Sequence, residues 1–443
     1  MNPFGIILIL MLFYMLFNTS SFKQRYMYLL VITICIETFI NLGFFFKISN
    51  FELQYSEFML AILGMLSMTY LLKNKVNKSI ITIGLLFIGS LIISGLILIV
   101  LPYSKPIITF GMPWTGYFTG EMAMAQFTIQ SIKMSLRIIL YVLITIVSVS
   151  ILSKSDVKEL TKRFISFGYF VVGYGYLEFV VKNFLQSDFL SSFNNWFFGL
   201  GDWTVEVLIE RSDTFALQGF TKEPAHFAAA LFSLTLVIVF SGKSRKTLIS
   251  LLFIGLIMFL SRSFSAVLYL ATLSSIYAIF NNRKTIFVSL TTLFVFTVTL
   301  SSVFEYYLIR LGNVVDLLVL NRIDQTYSEH IRIISVIENF KIFLDRPLFG
   351  IGIGTSYAHG FIPTLLASLG LFGFILWLIL IFKGIAKMNI SFDNSLIIFL
   401  LIVCWTFTGS INNVYSMSLF LITLVIRYTP NYCGFENEVE NGI

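Results

Sequence analysis

The chain has 443 residues, of which 57% are hydrophobic and only 12% are charged, and its formal net charge is +7. Soluble globular proteins carry about a quarter charged residues, so the composition excludes that class and indicates a polytopic membrane protein. The positive charge lies mainly in short connections between apolar runs, so no nucleic-acid partner is expected. The three cysteines, Cys35, Cys404 and Cys433, form no disulfide framework and lack metal-ligand spacing.

About thirteen apolar runs are long enough, or nearly long enough, to cross a bilayer. They lie at roughly 3–18, 26–46, 57–72, 79–101, 134–153, 165–184, 224–241, 247–261, 264–280, 285–303, 361–382, 392–411 and 413–427. The first run follows no basic segment and ends in no small-residue cleavage site, so it is predicted to be a retained span. The sequence therefore predicts an all-α polytopic membrane protein, a single integral-membrane domain over 1–443 with about 12–13 transmembrane helices.

Basic residues fall in alternate connections between these runs, which predicts the orientation of the chain. They are Lys23 and Arg25; Lys73, Lys75 and Lys78; Lys154, Lys158, Lys162 and Arg163; Lys243, Arg245 and Lys246; Arg283 and Lys284; Lys383 and Lys387; and Arg427. Because such connections stay in the cytoplasm, the N-terminus is predicted outside and the tail 428–443 inside. Two large connections, 183–222 and 303–360, then lie outside. A third outer connection, 102–131, is predicted to be interfacial or re-entrant.

The second large loop ends in a stretch with helical period. Ile331, Ile334, Ile337, Phe340 and Leu344 fall on one side, whereas Ser328, Arg332, Ser335, Asn339 and Arg346 fall on another. Because Pro347 does not continue a helix easily, the helix is predicted to end before it. A continuous helix would aim Arg332 and Arg346 in similar directions. The stretch predicts a cationic, partly interfacial platform that leads into a membrane span.

Alternating glycines follow, from Gly350 through Gly352 to Gly354, and then His359. The glycines lack the preceding strand, the full spacing and the downstream acid of a dinucleotide fingerprint. Their backbone amides could contact phosphate oxygens, or the glycines could only permit close packing. His359 could be structural or could move protons at the outer membrane edge.

The first large loop ends in a second polar stretch, from Arg211 to Lys222 and Glu223. Thr221 is a plausible helix N-cap and Pro224 suits a first helical turn, so Glu223 would stand at the positive end of a helix dipole. The alternative is a capped helix start beside a loop ion pair.

Arg262 lies between two apolar runs with almost no loop. An arginine at this position either faces protein and water or extends its charged end to the membrane surface. A role in binding substrate is the favoured interpretation of the two.

These features together resemble the O-antigen polymerase and ligase superfamily, and most closely the Wzy-type polymerases of surface polysaccharide repeat units. The resemblance consists of the many apolar runs, two large outer loops, and an arginine before a Gly…Glu-Pro stretch. It also includes Arg-Pro-Leu-Phe-Gly-Ile-Gly-Ile-Gly at 346–354, a following histidine and Leu-Gly-Leu-Phe-Gly at 369–373. At the level of motifs it covers 211–231 and 332–373.

The resemblance implies a glycosyltransferase-C-like fold with short amphipathic helices in the outer loops. It implies transfer of a growing glycan from undecaprenyl diphosphate to an incoming lipid-linked repeat, on the outer face of the bacterial plasma membrane. The family's loop arginines correspond to Arg211 and Arg332, and its loop histidine to His359. Gly360 stands where ligases often have asparagine, and 367–368 hold no acid. These departures favour a polymerase.

The chemistry of the residues agrees with this activity. Arginine binds phosphate oxygens bidentately and stays charged, so Arg211 and Arg332 are predicted to stabilise the two lipid diphosphates as the catalytic cations. Glu223 or His359 is predicted to be the general base, and the choice between them stays open. The residues predicted to support substrate binding are Arg322, Arg346, Arg262, Gly352, Gly354 and Lys222. Neither a metal nor another cofactor is predicted.

Two other functions fit parts of the pattern. One is a ligase that moves the finished glycan to lipid A core or another acceptor, and the other is a flippase for lipid-linked oligosaccharides. A flippase needs charged residues along a central path, whereas the polar residues here concentrate in two outer loops. The expected partners are an undecaprenyl-diphosphate-linked oligosaccharide, membrane lipid, a chain-length regulator and a flippase.

Overall fold

The structure is a computed structural model. It describes residues 2–19, 21–40, 44–48, 51–74, 76, 78–107, 123–187, 189–199, 217–221, 224–241, 245–261, 263–280, 312, 328–356, 358–388, 391–408 and 417–428. Most of these residues are helical. The helices are α1 (Pro3–Asn18), α2 (Phe22–Phe39), α3 (Tyr55–Lys73), α4 (Lys78–Val100), α5 (Ile129–Ile151), α6 (Lys154–Phe184), α7 (Phe189–Phe198), α8 (Pro224–Ser241), α9 (Arg245–Leu260), α10 (Phe264–Phe280), α11 (Ser328–Asp345), α12 (Phe361–Leu378), a π-helix (Ile379–Ile385), α13 (Phe392–Phe407) and α14 (Met417–Tyr428).

Two antiparallel hairpins depart from the all-helical prediction. Strand β1 (Phe44–Ile48) pairs with β2 (Phe51–Gln54), with an irregularity between Phe44 and Phe46. Strand β3 (Pro106–Ile107) pairs with β4 (Ala123–Met124). Strand β1 begins at Phe44, inside the predicted apolar run 26–46, because α2 already ends at Phe39. The second hairpin lies in the connection 102–131, which was predicted to be interfacial or re-entrant.

Six helices in the described part of the chain are long and apolar enough to cross a membrane, judged by length and composition. They are Tyr55–Lys73, Lys78–Val100, Ser131–Ile151, Lys154–Phe184, Pro224–Ser241 and Phe361–Ile385. Five shorter helices are also apolar: Pro3–Met15, Ile249–Leu260, Ser265–Tyr277, Asp393–Phe407 and Met417–Tyr428. The prediction of a helical, multi-pass membrane protein is confirmed in this coarse form. The predicted run 285–303 lies outside the described residues.

Helix α6 begins eleven residues earlier than the predicted apolar run 165–184. Its first turn is closed by a capping box. The Ser153 side chain accepts a hydrogen bond from the backbone amide of Asp156, and the Asp156 carboxylate accepts one from the backbone amide of Ser153 at 2.7 Å. The basic residues around Lys158 therefore lie on a helix rather than in a loop. At 31 residues, α6 is about 46 Å long, which exceeds the ~30 Å thickness of a hydrocarbon core.

The chain divides into two compact units. Unit 1 consists of Met1–Asn74, Val147–Thr297 and Ser416–Ile443. Its buried centre is α8, which packs against α2, α6, α9, α10 and α14. Two glycines of α6 let it approach α8 closely: a Cβ at Gly168 would lie 2.4 Å from Leu234, and one at Gly175 would lie 2.9 Å from Phe227. Small residues at such contacts are typical of membrane helices.

Unit 2 consists of Lys75–Ile146 and Val298–Tyr415. Its buried centre is α12, which packs against α4, α11 and α13 and continues into the π-helix. Gly370 interrupts α12 with φ 66° and ψ −170°. At this break Leu371 donates its amide to Pro347 O at 2.7 Å, so the segment before the alternating glycines hydrogen-bonds to the opened helix.

Candidate functional site

The structure describes only part of the predicted site. Arg211, Lys222, Glu223, Arg262 and Arg322 lie outside the described residues. The backbone of Arg332 lies in the first turns of α11. Arg346, Gly352, Gly354 and His359 are described in full, and all four belong to unit 2.

Helix α11 ends before Pro347, as predicted, but its buried face is mixed, because side chains of the predicted polar side are buried together with Val336 and Ile342. Ser335 and Asn339, on the predicted polar side, are fully buried, whereas Ile337 is 45% and Leu344 74% exposed. The polar side therefore contacts the protein. The exposed apolar side suits a membrane or interfacial environment, where polar groups are more stable inside the protein than against lipid.

His359 is held to this buried polar face through its backbone. Its amide donates to the Ser335 Oγ at 3.1 Å, and the Asn339 side chain donates to the Ser335 carbonyl at 2.9 Å. The next residue, Gly360, is the N-cap of α12, and a Cβ there would lie 1.9 Å from the carbonyl oxygen of Thr406 in α13. These contacts fix the position of His359 at the start of the central helix of unit 2.

Arg346 binds the end of α4. Its Nη2 donates to the carbonyls of Leu101 at 2.6 Å and Pro102 at 3.0 Å, and its guanidinium lies 5.4 Å from the centre of the Tyr103 ring. A cation at a helix C-terminus is favourable because the last carbonyls lack helical partners. One part of this guanidinium is thus engaged within the protein, and the role predicted for Arg346 in binding substrate stays a prediction.

Asp345, next to Arg346, also binds residues of the segment that follows α4. Lys105 donates to both of its carboxylate oxygens, at 2.7 and 2.9 Å, and the Tyr103 hydroxyl donates at 2.6 Å. These bonds from Lys105 and Tyr103 lower the pKa of Asp345. Burial, together with the Asp345 carboxylate, raises the pKa of Tyr103. The end of α11 is therefore tied to the segment after α4 by charged and hydrogen-bonded contacts.

The alternating glycines pack backbone against backbone. Gly350 has φ +65°, and a Cβ there would lie 2.4 Å from the Ala367 carbonyl oxygen. The amide of Gly352 donates to the Ser368 carbonyl at 2.9 Å and to the Ser94 Oγ at 2.8 Å. These contacts favour the close-packing interpretation for Gly350 and Gly352, because the Gly352 amide already has protein acceptors. The substrate-binding role of Gly352 and Gly354 stays a prediction.

Unit 1 contains a buried ion pair that was not among the predicted site residues. Lys182 Nζ lies 2.7 Å from Glu178 Oε1, and both residues, one helical turn apart in α6, are 1% exposed. Removing one member of such a pair costs about 3–5 kcal/mol because a buried charge is left uncompensated. The sequence did carry a signal: two ionisable residues inside an apolar run indicate function by default.

The Glu178 carboxylate also binds the backbone of residues 217–221, which we call the anchored turn. The amide of Gly219 donates to Oε2 at 2.7 Å, and that of Gln218 donates to Oε1 and Oε2 at 3.2 and 3.3 Å. Asn194 of α7 donates to the Gly219 carbonyl at 2.8 Å and accepts a hydrogen bond from the Tyr174 hydroxyl, also at 2.8 Å. The turn is thus held by side chains of α6 and α7.

The anchored turn is also packed tightly. Gly219 has φ +57°, and a Cβ there would lie 2.5 Å from the Phe227 ring of α8. The Phe220 ring lies 4.2 Å from the Tyr174 ring and 5.2 Å from the Phe198 ring, measured between centroids. The turn precedes Lys222 and Glu223 directly and follows the segment that contains Arg211. The part of the chain with the predicted phosphate-binding residues is therefore adjacent in sequence to a rigid turn.

Within the described residues, no group of three His, Cys, Asp or Glu side chains is placed to hold a metal ion. No protein-family model matches the chain, and no curated protein matches it. Any functional assignment must therefore follow from the residues and their geometry.

Proposed function

We propose that the protein is a membrane glycosyltransferase that polymerises undecaprenyl-diphosphate-linked oligosaccharide repeats into a surface polysaccharide. In this proposal about 12–13 helices cross the bacterial plasma membrane, in a glycosyltransferase-C-like arrangement. The site faces the periplasm or the cell exterior, and no metal or cofactor takes part.

One observation carries the proposal: each motif-bearing segment leads into the buried central helix of its own unit. The segment with Arg211 and Glu223 ends at α8, and the segment with Arg332 and His359 ends at α12. Catalytic side chains must be held within a fraction of an ångström by a rigid frame. The anchored turn in unit 1 and the contact between Ser335 and the His359 backbone in unit 2 supply fixed points beside these segments, which supports the proposal.

The proposed reaction is a single displacement at an anomeric carbon. A hydroxyl of the incoming repeat attacks the anomeric carbon of the growing glycan, and the bond from that carbon to the diphosphate oxygen breaks. The hydroxyl proton passes to Glu223 or His359, and the bonding electrons leave with the diphosphate. Arg211 and Arg332 stabilise the diphosphate charge, which grows in the transition state. Supporting contacts come from Arg322, Arg346, Arg262, Lys222 and the glycine segment.

The test compares Arg211→Ala and Arg332→Ala with Lys341→Ala in cells that lack the native gene. Lys341 is the matched control, because it lies on α11 with Arg332 but is 63% exposed and paired only at the surface with Glu338. We expect both arginine variants to reach the membrane at normal levels and to lose long glycan chains. Lys341→Ala should retain long chains. Gels of surface glycan and immunoblots of the membrane fraction give the two readouts.

The deletion strain itself separates the alternatives. Loss of a polymerase leaves single repeats attached to the acceptor, whereas loss of a ligase leaves no repeat attached. Loss of a flippase leaves lipid-linked repeats on the inner leaflet. Long chains in both arginine variants would contradict the proposed mechanism.

A further inference from the structure

We infer that the Glu178–Lys182 pair is a positioning device that sets the geometry of the proposed active site by fixing the anchored turn. This inference rests on the proposed function, because the turn matters only if the residues beside it act on substrate. Glu178 and Lys182 are positioning residues: they are fully buried and act through the backbone of Gln218 and Gly219.

Both carboxylate oxygens of Glu178 accept hydrogen bonds from groups of the protein. One oxygen accepts from Lys182 and from the Gln218 amide, and the other accepts from the amides of Gln218 and Gly219. Hydrogen bonds from amides to a carboxylate are shorter and stronger than those between neutral groups. Since consecutive amides converge on one side chain, the turn has little freedom to move relative to α6.

Lys182 has a separate role in this arrangement. A lone carboxylate in the interior of a membrane helix would lack charge compensation, which is costly. The ammonium of Lys182, one turn away on the same helix, supplies that compensation without contributing an acceptor for the turn. The charge balance and the amide binding are therefore separable properties of the pair, and substitutions can remove them independently.

The rest of the turn is fixed from other directions. Asn194 of α7 holds the Gly219 carbonyl, and the Thr221 hydroxyl donates to the Gln218 carbonyl at 2.8 Å. The turn ends one residue before Lys222 and two before Glu223, and α8 begins at Pro224. A shift of the turn would therefore displace the start of the segment that leads into the central helix. Displacements of about 1 Å at an active site cost roughly a hundredfold in rate.

Two double variants separate positioning from simple charge balance. Glu178→Lys with Lys182→Glu, which we call the swapped pair, keeps a buried ion pair but places no acceptor at position 178. Glu178→Gln with Lys182→Met, which we call the neutral pair, removes both charges but keeps an oxygen that accepts from the Gly219 amide. Glu37→Gln is the matched control, because Glu37 is also a buried carboxylate of unit 1 but accepts the amide of Met417 at 2.7 Å.

The rate of hydrogen exchange at the amides of Gln218 and Gly219 measures how firmly the turn is held, and it requires no glycan assay. We expect exchange to rise about tenfold or more in the swapped pair, and to rise less in the neutral pair. The rate of polymerisation should fall roughly a hundredfold in the swapped pair, with a smaller change in KM, and should be largely retained in the neutral pair. Glu37→Gln should leave exchange at the turn and the chain length unchanged.

A swapped pair with native exchange and native chain length would overturn the inference. If the swapped pair does not fold, the neutral pair decides: a folded neutral variant that has lost long chains also overturns it. Failure of the proposed function is distinguishable, since it appears as long chains in Arg211→Ala and Arg332→Ala whatever the exchange at the turn.

Discussion

Several single residues fix the backbone where two segments approach each other. Gly350 and Gly370 both have φ near +65°, and a Cβ at either position would lie within 2.4 Å of a backbone oxygen or carbon. In contrast, Glu178 fixes a backbone by attraction, through the amides of Gln218 and Gly219. The glycines permit close approach because they lack a Cβ, and Glu178 holds a backbone through its carboxylate. Each effect depends on one atom or one group, so single substitutions test it.

Gly350→Ala should destabilise the protein by at least about 2 kcal/mol. The left-handed conformation disfavours a side chain, and the Cβ would meet the carbonyl of Ala367, which is backbone and cannot rotate away. Thermal unfolding of the purified protein in detergent measures the effect. Gly89→Ala is the control, because no described atom lies within 4 Å of a Cβ there. Equal melting temperatures for Gly350→Ala and the native protein would contradict this account of the glycine segment.

At the scale of elements, α11 shows how the surroundings decide which face of a helix is buried. Its sequence period is clear, but Ser335 and Asn339 pack inward while Ile337 and Leu344 are exposed. In water the apolar face would be buried because that removes apolar surface from solvent. In α11 the buried polar groups have partners within the protein: the Asn339 side chain donates to the Ser335 carbonyl, and the Ser335 Oγ accepts from the His359 amide. Hydrogen bonds of this kind offset the cost of burying polar groups.

Ser335→Ala should lower stability by about 1–2 kcal/mol, because the amide of His359 loses its acceptor. Ile337→Ala, two residues along the chain on the other side of the helix and 45% exposed, should change stability by less than about 0.5 kcal/mol. Denaturation of both variants in the same detergent provides the comparison. If Ile337→Ala proved the more damaging of the two, α11 would have to bury its apolar face instead.

At the scale of the whole molecule, two units each have one buried central helix, α8 in unit 1 and α12 in unit 2. Each central helix begins directly after a segment with predicted site residues. The orientation of these helices in the membrane was predicted from basic residues alone, and the proposed function requires the two helix starts to lie outside the cytoplasm.

Cysteine labelling on α6 and α7 tests the predicted orientation of the chain in the membrane. In a variant without the three native cysteines, Lys158→Cys places a thiol at the start of α6 and Ser192→Cys places one on α7; both positions are exposed. A membrane-impermeant maleimide added to cells with a permeable outer layer should label position 192. Labelling at 158 should require disruption of the plasma membrane. The reverse pattern would put the site on the cytoplasmic side and contradict the proposed reaction.

Much of the fold could be predicted from the sequence. Apolar length set the helix positions, since nearly all the predicted runs in the described part of the chain are helical, and Pro347 marked the end of α11. The two polar stretches, 211–223 and 332–359, were also evident from the sequence. These features are local: run length, helical period and helix-breaking residues act within a few turns of the chain.

The tertiary structure alone decided which polar groups meet. Glu178 contacts Gln218 across 40 residues, His359 contacts Ser335 across 24, and Arg346 contacts Leu101 across 245. No local period reports such contacts, because the partners come from separate segments of the chain that are brought together by packing. The sequence by itself therefore determined a multi-pass helical protein with two polar segments. Packing decided that α11 buries Ser335 and Asn339 and that a buried ion pair anchors the turn before α8, because a buried polar group is stable only beside a partner.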